Sequence, residues 1–267
     1  MQEANDFLAE TEALGAVLAP LDDATCQRVT QFKDWTIDAI IQHLHFFNRM
    51  ALWSMEEPDR FQRAYAEFSA GRKADGSMVG VTDRMLGGLR GRALLAAWLG
   101  TAREIHPRFA AADPKARVKW AGPDMSVRSS ITARLMETWA HGQAIYDVLG
   151  LERADADRIR NIAHLGVATY GWTFVNRGEA VPEPVPHVRL TAPSGAVWEW
   201  GEVSTTERIE GSATDFCQVV AQTRNIADVH LRVIGPNAER WMARAQCFAG
   251  PPNDPPAPGT RFRAAPA

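Results

Sequence analysis

Glu137 and His141 stand one helical turn apart in "RLMETWAHGQAIYDVLG" (residues 134–150), and a second run, "IIQHLHFF", carries His43 and His45. Side chains four apart on a helix have Cβ atoms ~5–6 Å apart, so a carboxylate and an imidazole at this spacing both reach a single cation at ~2.0–2.2 Å. At 100° per residue, Arg128, Thr132, Gln143 and Asp147 gather into one polar arc. Glu137 and His141 project from the other side, with Ser130, Arg134, Ala144 and Val148. A carboxylate taken out of water is protonated, paired with a charge or bound to a cation. Arg134, one turn back, offers the pairing route, an internal Glu–Arg–His network, as the alternative to a metal.

The helix carrying the other two histidines helps to decide between them. Asp38, Gln42, His45 and Arg49 share its polar arc, whereas His43 projects between Phe47 and Met50. A bundle that packs this helix beside the Glu137/His141 helix brings two imidazoles and one carboxylate onto one ion. Three protein donors leave a coordination position open for water or substrate, as catalytic metal sites do and closed structural sites do not. The donor set by itself leaves the divalent metal open among Zn2+, Fe2+, Ni2+ and Mn2+. Glu183 and His187 repeat the spacing, but Pro184 and Pro186 preclude a helix there.

His164, in "IRNIAHLGVATYGWTF", projects opposite Arg158, Thr169, Thr173 and Asn176. It is read as a proton-transferring group beside the metal, as a fourth ligand, or as a hydrogen-bonded core histidine. Trp35, Trp53, Trp98, Trp139 and Trp172 read as core filler. His106, before Pro107, and His230, in an expected strand, look incidental. Motifs for a serine-nucleophile elbow, a phosphate loop and a dinucleotide fingerprint are all missing, which disfavours those chemistries.

The elements that must hold these residues follow from periodicity and caps. Residues 1–180 read as a helical bundle with helices near 3–19, 36–55, 58–69, 82–104, 126–149 and 155–177, with Thr36 and Thr82 as caps and Gly150 as a stop. Prolines 182, 184 and 186 mark a linker. Residues 187–250 form a small α+β module: a hairpin in "VRLTAPSGAVWEWG", a strand at "ERIEG", a capping box from Ser212 to Asp215 opening a helix, a strand at "VHLRV" and a last helix in "NAERWMARAQCF". The tail 251–267 is proline-rich and expected to be disordered. The expected class is therefore α+β, an up-down helical bundle followed by a small α/β module.

Composition supports a chain that folds without staples and works on small molecules. With 267 residues, 46% of them hydrophobic, it can bury proper cores. Three distant cysteines, Cys26, Cys217 and Cys247, give neither a disulfide framework nor a thiolate zinc site, which fits a reducing cytoplasm. A net charge of −3, with scattered Lys and Arg, carries no nucleic-acid footprint. No apolar run reaches the ~18 residues of a membrane span. The expected partner is a small-molecule substrate of a cytoplasmic protein, with neither nucleic acid nor membrane involved.

Three stretches, "DWTIDAIIQHLHFFNRMA", "WAGPDMSVRSSITARLMETWAHGQAIYDVLG" and "IAHLGVATYGW", resemble the DinB-like metal-binding superfamily, in particular its branch around mycothiol-dependent maleylpyruvate isomerase. The C-terminal part resembles the small α/β domain that follows the bundle in that branch. The resemblance implies a four-helix-type bundle binding a divalent metal, usually zinc, through His43, Glu137 and His141. It also implies a low-molecular-weight thiol, mycothiol or another, whose thiolate attacks an electrophile for isomerisation or S-transfer. It points to Arg224, in "VVAQTRNIADV", as the guanidinium for a substrate carboxylate. The alternatives are a metal-dependent lyase, hydrolase or non-haem iron enzyme that uses no thiol, and a non-catalytic metal- or ligand-binding protein.

Overall fold

The computed structural model describes residues 1–122 and 124–265. The chain divides into two compact units, Met1–Val148 and Leu149–Ala267. The first is helical: α1 (Gln2–Leu18), α2 (Asp23–Cys26), α3 (Ile37–Glu56), α4 (Pro58–Asp75), α5 (Met78–Met85), α6 (Gly91–Ala111) and α7 (Val127–Leu149). A short antiparallel ribbon, β1 (Arg117–Val118) with β2 (Met125–Ser126), leads into α7.

Thr36 starts α3 as its spacing predicts, its hydroxyl accepting from the Ala39 amide at 3.1 Å. Helix α3 packs against α4, α5 and α6, and α1 packs on α6. Trp98 and Trp139 are fully buried with Phe7, Leu14, Ile40, Leu44 and Phe109; aromatic side chains of this size supply much of a core's apolar burial. A satellite cluster of Phe46, Met50, Phe61, Phe68 and Val81 carries Phe47, Trp53 and Trp120 at its edge.

Two expectations for this unit are corrected. The helix expected over 82–104 is two helices, because Gly87 and Gly88 take φ of +66° and +71°, conformations that glycine adopts without steric cost and that end α5. Ser77, rather than Thr82, caps α5, accepting from the Gly80 amide at 3.1 Å, while the Thr82 hydroxyl bonds back to Met78 and Val79 carbonyls inside the helix. The arcs read as polar are also largely buried: Asp38, Gln42 and His45 on α3, and Gln143 and Asp147 on α7. Most of these polar groups are paired inside the protein. Gln42 donates to Asp83 and to the Leu89 carbonyl, Asp38 accepts from Gln27 and the Gly91 amide, and Gln143 donates to Asp147.

The second unit begins earlier than the proline-rich stretch. A 3-10 turn (Asp157–Ile159) runs into α8 (Arg160–Ala168) and α9 (Tyr170–Val175). Strands β3 (His187–Thr191), β4 (Val197–Trp200), β5 (Arg208–Ser212) and β6 (Arg232–Ile234) form one sheet in the order β4-β3-β5-β6, with β3 and β5 parallel and the other pairs antiparallel. Helices α10 (Ala213–Val220) and α11 (Pro236–Met242) complete it. The expected capping hydroxyl is in place, Ser212 Oγ accepting from the Asp215 amide at 3.0 Å.

Helix α8 packs on α10, and Gly166 allows the close approach: a Cβ there would lie 2.8 Å from Val220 Cγ2. Residues 149–180, expected to close the bundle, therefore belong to the second unit. The single helix expected over 155–177 is broken at Thr169, whose hydroxyl bonds back to Leu165 and Gly166 carbonyls. His230 precedes β6 and is not in a strand.

The tail departs from its expected disorder over residues 251–265. It holds neither helix nor strand, yet the Asn253 amide donates to Gln246 at 2.9 Å, the Gly259 amide donates to Asp228 at 2.9 Å, and Arg261 donates to the Gln222 carbonyl at 2.7 Å. Proline lacks a donor but keeps its carbonyl, and the Pro251 and Pro256 carbonyls accept from Gln246 and Asn225. The last two expected tail residues, 266 and 267, lie outside the described residues. All three cysteines are free and buried. Among the described residues no helix is long and apolar enough to cross a membrane.

Candidate metal centre

His43, in the middle of α3, and Glu137 with His141, in the middle of α7, converge. Glu137 Oε2 lies 3.2 Å from His43 Nε2 and 3.0 Å from His141 Nε2. The two imidazole centroids are 4.6 Å apart, with their planes at 67°. One donor atom from each residue lies within 4.8 Å of the others, and among the described residues this is the group of His, Cys, Asp and Glu side chains so placed. Tetrahedral donors at ~2.0–2.2 Å from an ion stand ~3.3–3.6 Å from one another, so only small side-chain adjustments separate this arrangement from a ligated one. Two imidazole nitrogens and one carboxylate oxygen suit a borderline divalent cation.

Electrostatics prepare the donors. Burial lowers the His43 pKa to about 4, against the opposing influence of Glu137, so this imidazole is neutral at pH 7. Burial alone would raise the Glu137 carboxyl, but the hydrogen bonds from His141 and His43, with the nearby charge of Arg134, hold it well below the usual carboxylate range. Glu137 is thus an anion beside the neutral imidazole of His43, the protonation states a metal requires of these two groups. The side chains of His43 and His141 are 9% and 12% exposed and that of Glu137 is 22% exposed. Of the three side chains, that of Glu137 is the most accessible, so the open side of the cluster is the side of Glu137.

Aromatic rings enclose the imidazoles. Trp35, expected as core filler, lies parallel to His141 at 6.1 Å and tilted against His43 at 5.4 Å. Phe32 meets His141 edge-on at 4.7 Å, and Phe47 packs on His43 at 4.8 Å. Phe32 and Trp35 come from a tight turn in which Lys33 and Asp34 have positive φ and the Thr30 amide donates to the Trp35 carbonyl. The nearest signal in the sequence is the short "QFKDW" immediately before the Thr36 cap; helical periodicity says nothing about such a turn.

Arg134 does not do what its spacing suggests. It forms no ion pair with Glu137; its guanidinium lies over Phe47 at 5.7 Å and Trp120 at 5.4 Å. The residue is 4% exposed, and its buried Nε and Nη1 have no hydrogen-bond partner. Each unmade bond to a buried donor costs ~1–3 kcal/mol, which cation–π contacts of ~0.5–2 kcal/mol offset only in part. The Glu–Arg–His network offered as the alternative to a metal is thus reduced to a Glu–His pair of contacts.

His164 and Arg224 both lie in the second unit, whereas the triad lies in the first. His164 is exposed on α8 instead of facing inward, because α8 turns Ile162, Ala163 and Gly166 to its partner α10. Arg224 follows α10, half-buried, with Nη1 donating to the Thr223 carbonyl at 2.9 Å. His187, of the excluded Glu183 pair, is buried in β3.

Comparison with known proteins bears on this centre. Residues 7–146 match the family model of the mycothiol maleylpyruvate isomerase N-terminal domain, a span that contains all three converging residues. An uncharacterized protein of Mycobacterium tuberculosis, found in strains CDC 1551 / Oshkosh and ATCC 25618 / H37Rv, is 36% identical over 248 residues, covering 92% of this chain and 95% of its own. Among solved structures, the mycothiol-dependent maleylpyruvate isomerase is similar with a TM-score of 0.50 at 13% identity, and a histidine-to-alanine mutant of it with 0.52 at 14%. Each comparison covers 83% of this chain and 88% of the other. At such identities these two structures speak for the fold: a helical unit followed by a small α/β module. By the match over its helical unit, the chain belongs to the mycothiol maleylpyruvate isomerase N-terminal domain family.

Proposed function

We propose that this protein is a divalent-metal-dependent enzyme that activates a low-molecular-weight thiol for isomerisation or S-transfer on a small electrophilic substrate. The observation that carries the reading is the meeting of His43, Glu137 and His141 on one carboxylate oxygen, in a chain whose family is named for a mycothiol-dependent isomerase. His43, Glu137 and His141 would hold the ion, with zinc favoured by the family resemblance. A bound divalent ion supplies Lewis acidity that lowers the pKa of a coordinated thiol, making thiolate available at neutral pH.

The chain's own residues account for the rest. The buried imidazole of His43 stays neutral and so keeps a lone pair for a ligand at pH 7. Glu137 contributes the negative charge and faces the open side. Phe32, Trp35 and Phe47 wall the imidazoles with apolar rings, which fixes ring orientation and limits water beside them. Roles for Arg224 in holding a substrate anion and for His164 in moving a proton belong to this proposal on the strength of sequence alone.

The test combines elemental analysis of the purified protein with a screen of mycothiol, glutathione and cysteine against maleylpyruvate-like and epoxide-like electrophiles. The reading expects turnover that needs both a metal and a thiol. Turnover that needs metal but proceeds without any thiol, or metal-bound protein inert with every pair, would refute it.

A further inference from the structure

Arg134 stands out among the polar side chains near the triad. It is one turn from Glu137 on α7, and its charge acts on both Glu137 and His43. Phe47 ties it to the site geometrically, since one ring packs on the His43 imidazole at 4.8 Å and also lies beneath the Arg134 guanidinium at 5.7 Å. Trp120 flanks the guanidinium at 5.4 Å. Nε and Nη1 are buried without partners, and no carboxylate of the described residues pairs with this cation.

A permanently charged, planar group held against two adjacent aromatic rings, with Nε and Nη1 buried and unmet, is suited to an anion that the chain itself does not supply. The complement of a guanidinium is a carboxylate, taken by charge-assisted N–H···O bonds. The aromatic rings hold the fork in one orientation, so little side-chain freedom is lost when the anion arrives.

We propose that Arg134 is the anion anchor of this site, binding a carboxylate on the small molecule that occupies the open side of the His43–Glu137–His141 cluster. This deepens the proposed function and rests on it for the location of the site. It restricts the ligand class to carboxylates, carried either by the electrophile or by the thiol. It also explains why a helix otherwise well packed keeps an unpaired cation in its buried face: stability is given up for recognition.

The experiment titrates wild-type protein, Arg134→Lys and Arg134→Met, each metal-loaded and each in chelator, with four probes followed by calorimetry. Maleate and maleamide differ only in charge on an electrophile-like ligand; N-acetylcysteine and N-acetylcysteamine differ in the carboxylate of a thiol. Metal content and thermal midpoint are recorded for every sample. We expect maleate or N-acetylcysteine, whichever carries the recognised carboxylate, to bind wild type at least about tenfold tighter than its neutral counterpart. Arg134→Met should lose that preference, Arg134→Lys should keep part of it, and both should retain metal. The thermal midpoint of Arg134→Met should not fall, because it replaces an unpaired buried cation with an apolar chain of similar length.

Unchanged charge preference in Arg134→Met, no charge preference in wild type, or a lowered midpoint in Arg134→Met would overturn the proposal. Failure of the metal reading is separate: wild-type protein without metal that still shows the Arg134-dependent preference would leave the anchor standing and remove the ion.

Discussion

The indole of Trp35 lies parallel to the imidazole of His141, with ring centroids 6.1 Å apart and planes 12° from coplanar. It also touches the His43 ring, so one side chain from a turn outside both helices braces a converging imidazole on each of them. Trp35→Ala is expected to weaken metal binding about tenfold, the lower end of what support for a ligand usually contributes, while the helical content is unchanged. Competition with a chromophoric chelator measures it. Equal affinities would mean that α3 and α7 fix the donors without the indole.

His43 and His45 are both held down to a pKa of about 4, His43 by burial and His45 by burial with Arg49 adding to it. Their unfolded values are near 6.5, so between pH 4 and 6.5 the unfolded chain binds more protons. Stability therefore rises with pH across that window, and the histidines' destabilising effect is absent above pH 6.5. In chelator, wild type should lose stability as pH falls from 7 to 4.5, and His45→Gln should lose about 2 kcal/mol less. Urea midpoints at the two pH values check this, and parallel losses in the two proteins would contradict it.

Glu207 is buried at the start of α11, its carboxylate accepting from the Asn237 amide at 3.1 Å and the Ala238 amide at 2.9 Å. Glu207→Ala leaves both amides unmet, and a loss of about 2 kcal/mol of unfolding free energy is expected. Metal content should be unaffected, since Glu207 lies in the second unit and the three converging residues proposed to hold the ion lie in the first. Denaturant unfolding with elemental analysis measures both. A fall in metal content would show that the centre depends on the second unit's integrity.

Much of the centre was legible in the sequence because it sits on regular helix. The i, i+4 spacing of Glu137 and His141 and the position of His43 between Phe47 and Met50 are properties of helical geometry, which local sequence specifies well. The polar-arc argument singled out three residues that converge in the structure, although Asp38, Gln42 and Asp147 are buried too; what sets the three apart is that convergence, which facing alone does not measure. His164 failed by the same route, since α8 is short and packs on α10, and the side that periodicity marked as inward is not the side that is covered. Trp35 and Phe32 depend on a positive-φ turn at Lys33 and Asp34; outside glycine that conformation is uncommon, and although aspartate is enriched in it, the lysine gives no signal for it. Arg134 was legible as a buried charge, but only the tertiary structure shows that its neighbours are rings and not Glu137.

The central claim is tested most directly by metal stoichiometry in wild type and in His43→Ala, Glu137→Gln and His141→Ala, with circular dichroism as the control for folding. The account predicts about one divalent ion per wild-type chain and a loss of about tenfold or more in occupancy in each variant, with helical spectra preserved. A folded His43→Ala protein that keeps its full complement of metal would contradict it, since α3 would then contribute nothing to the centre.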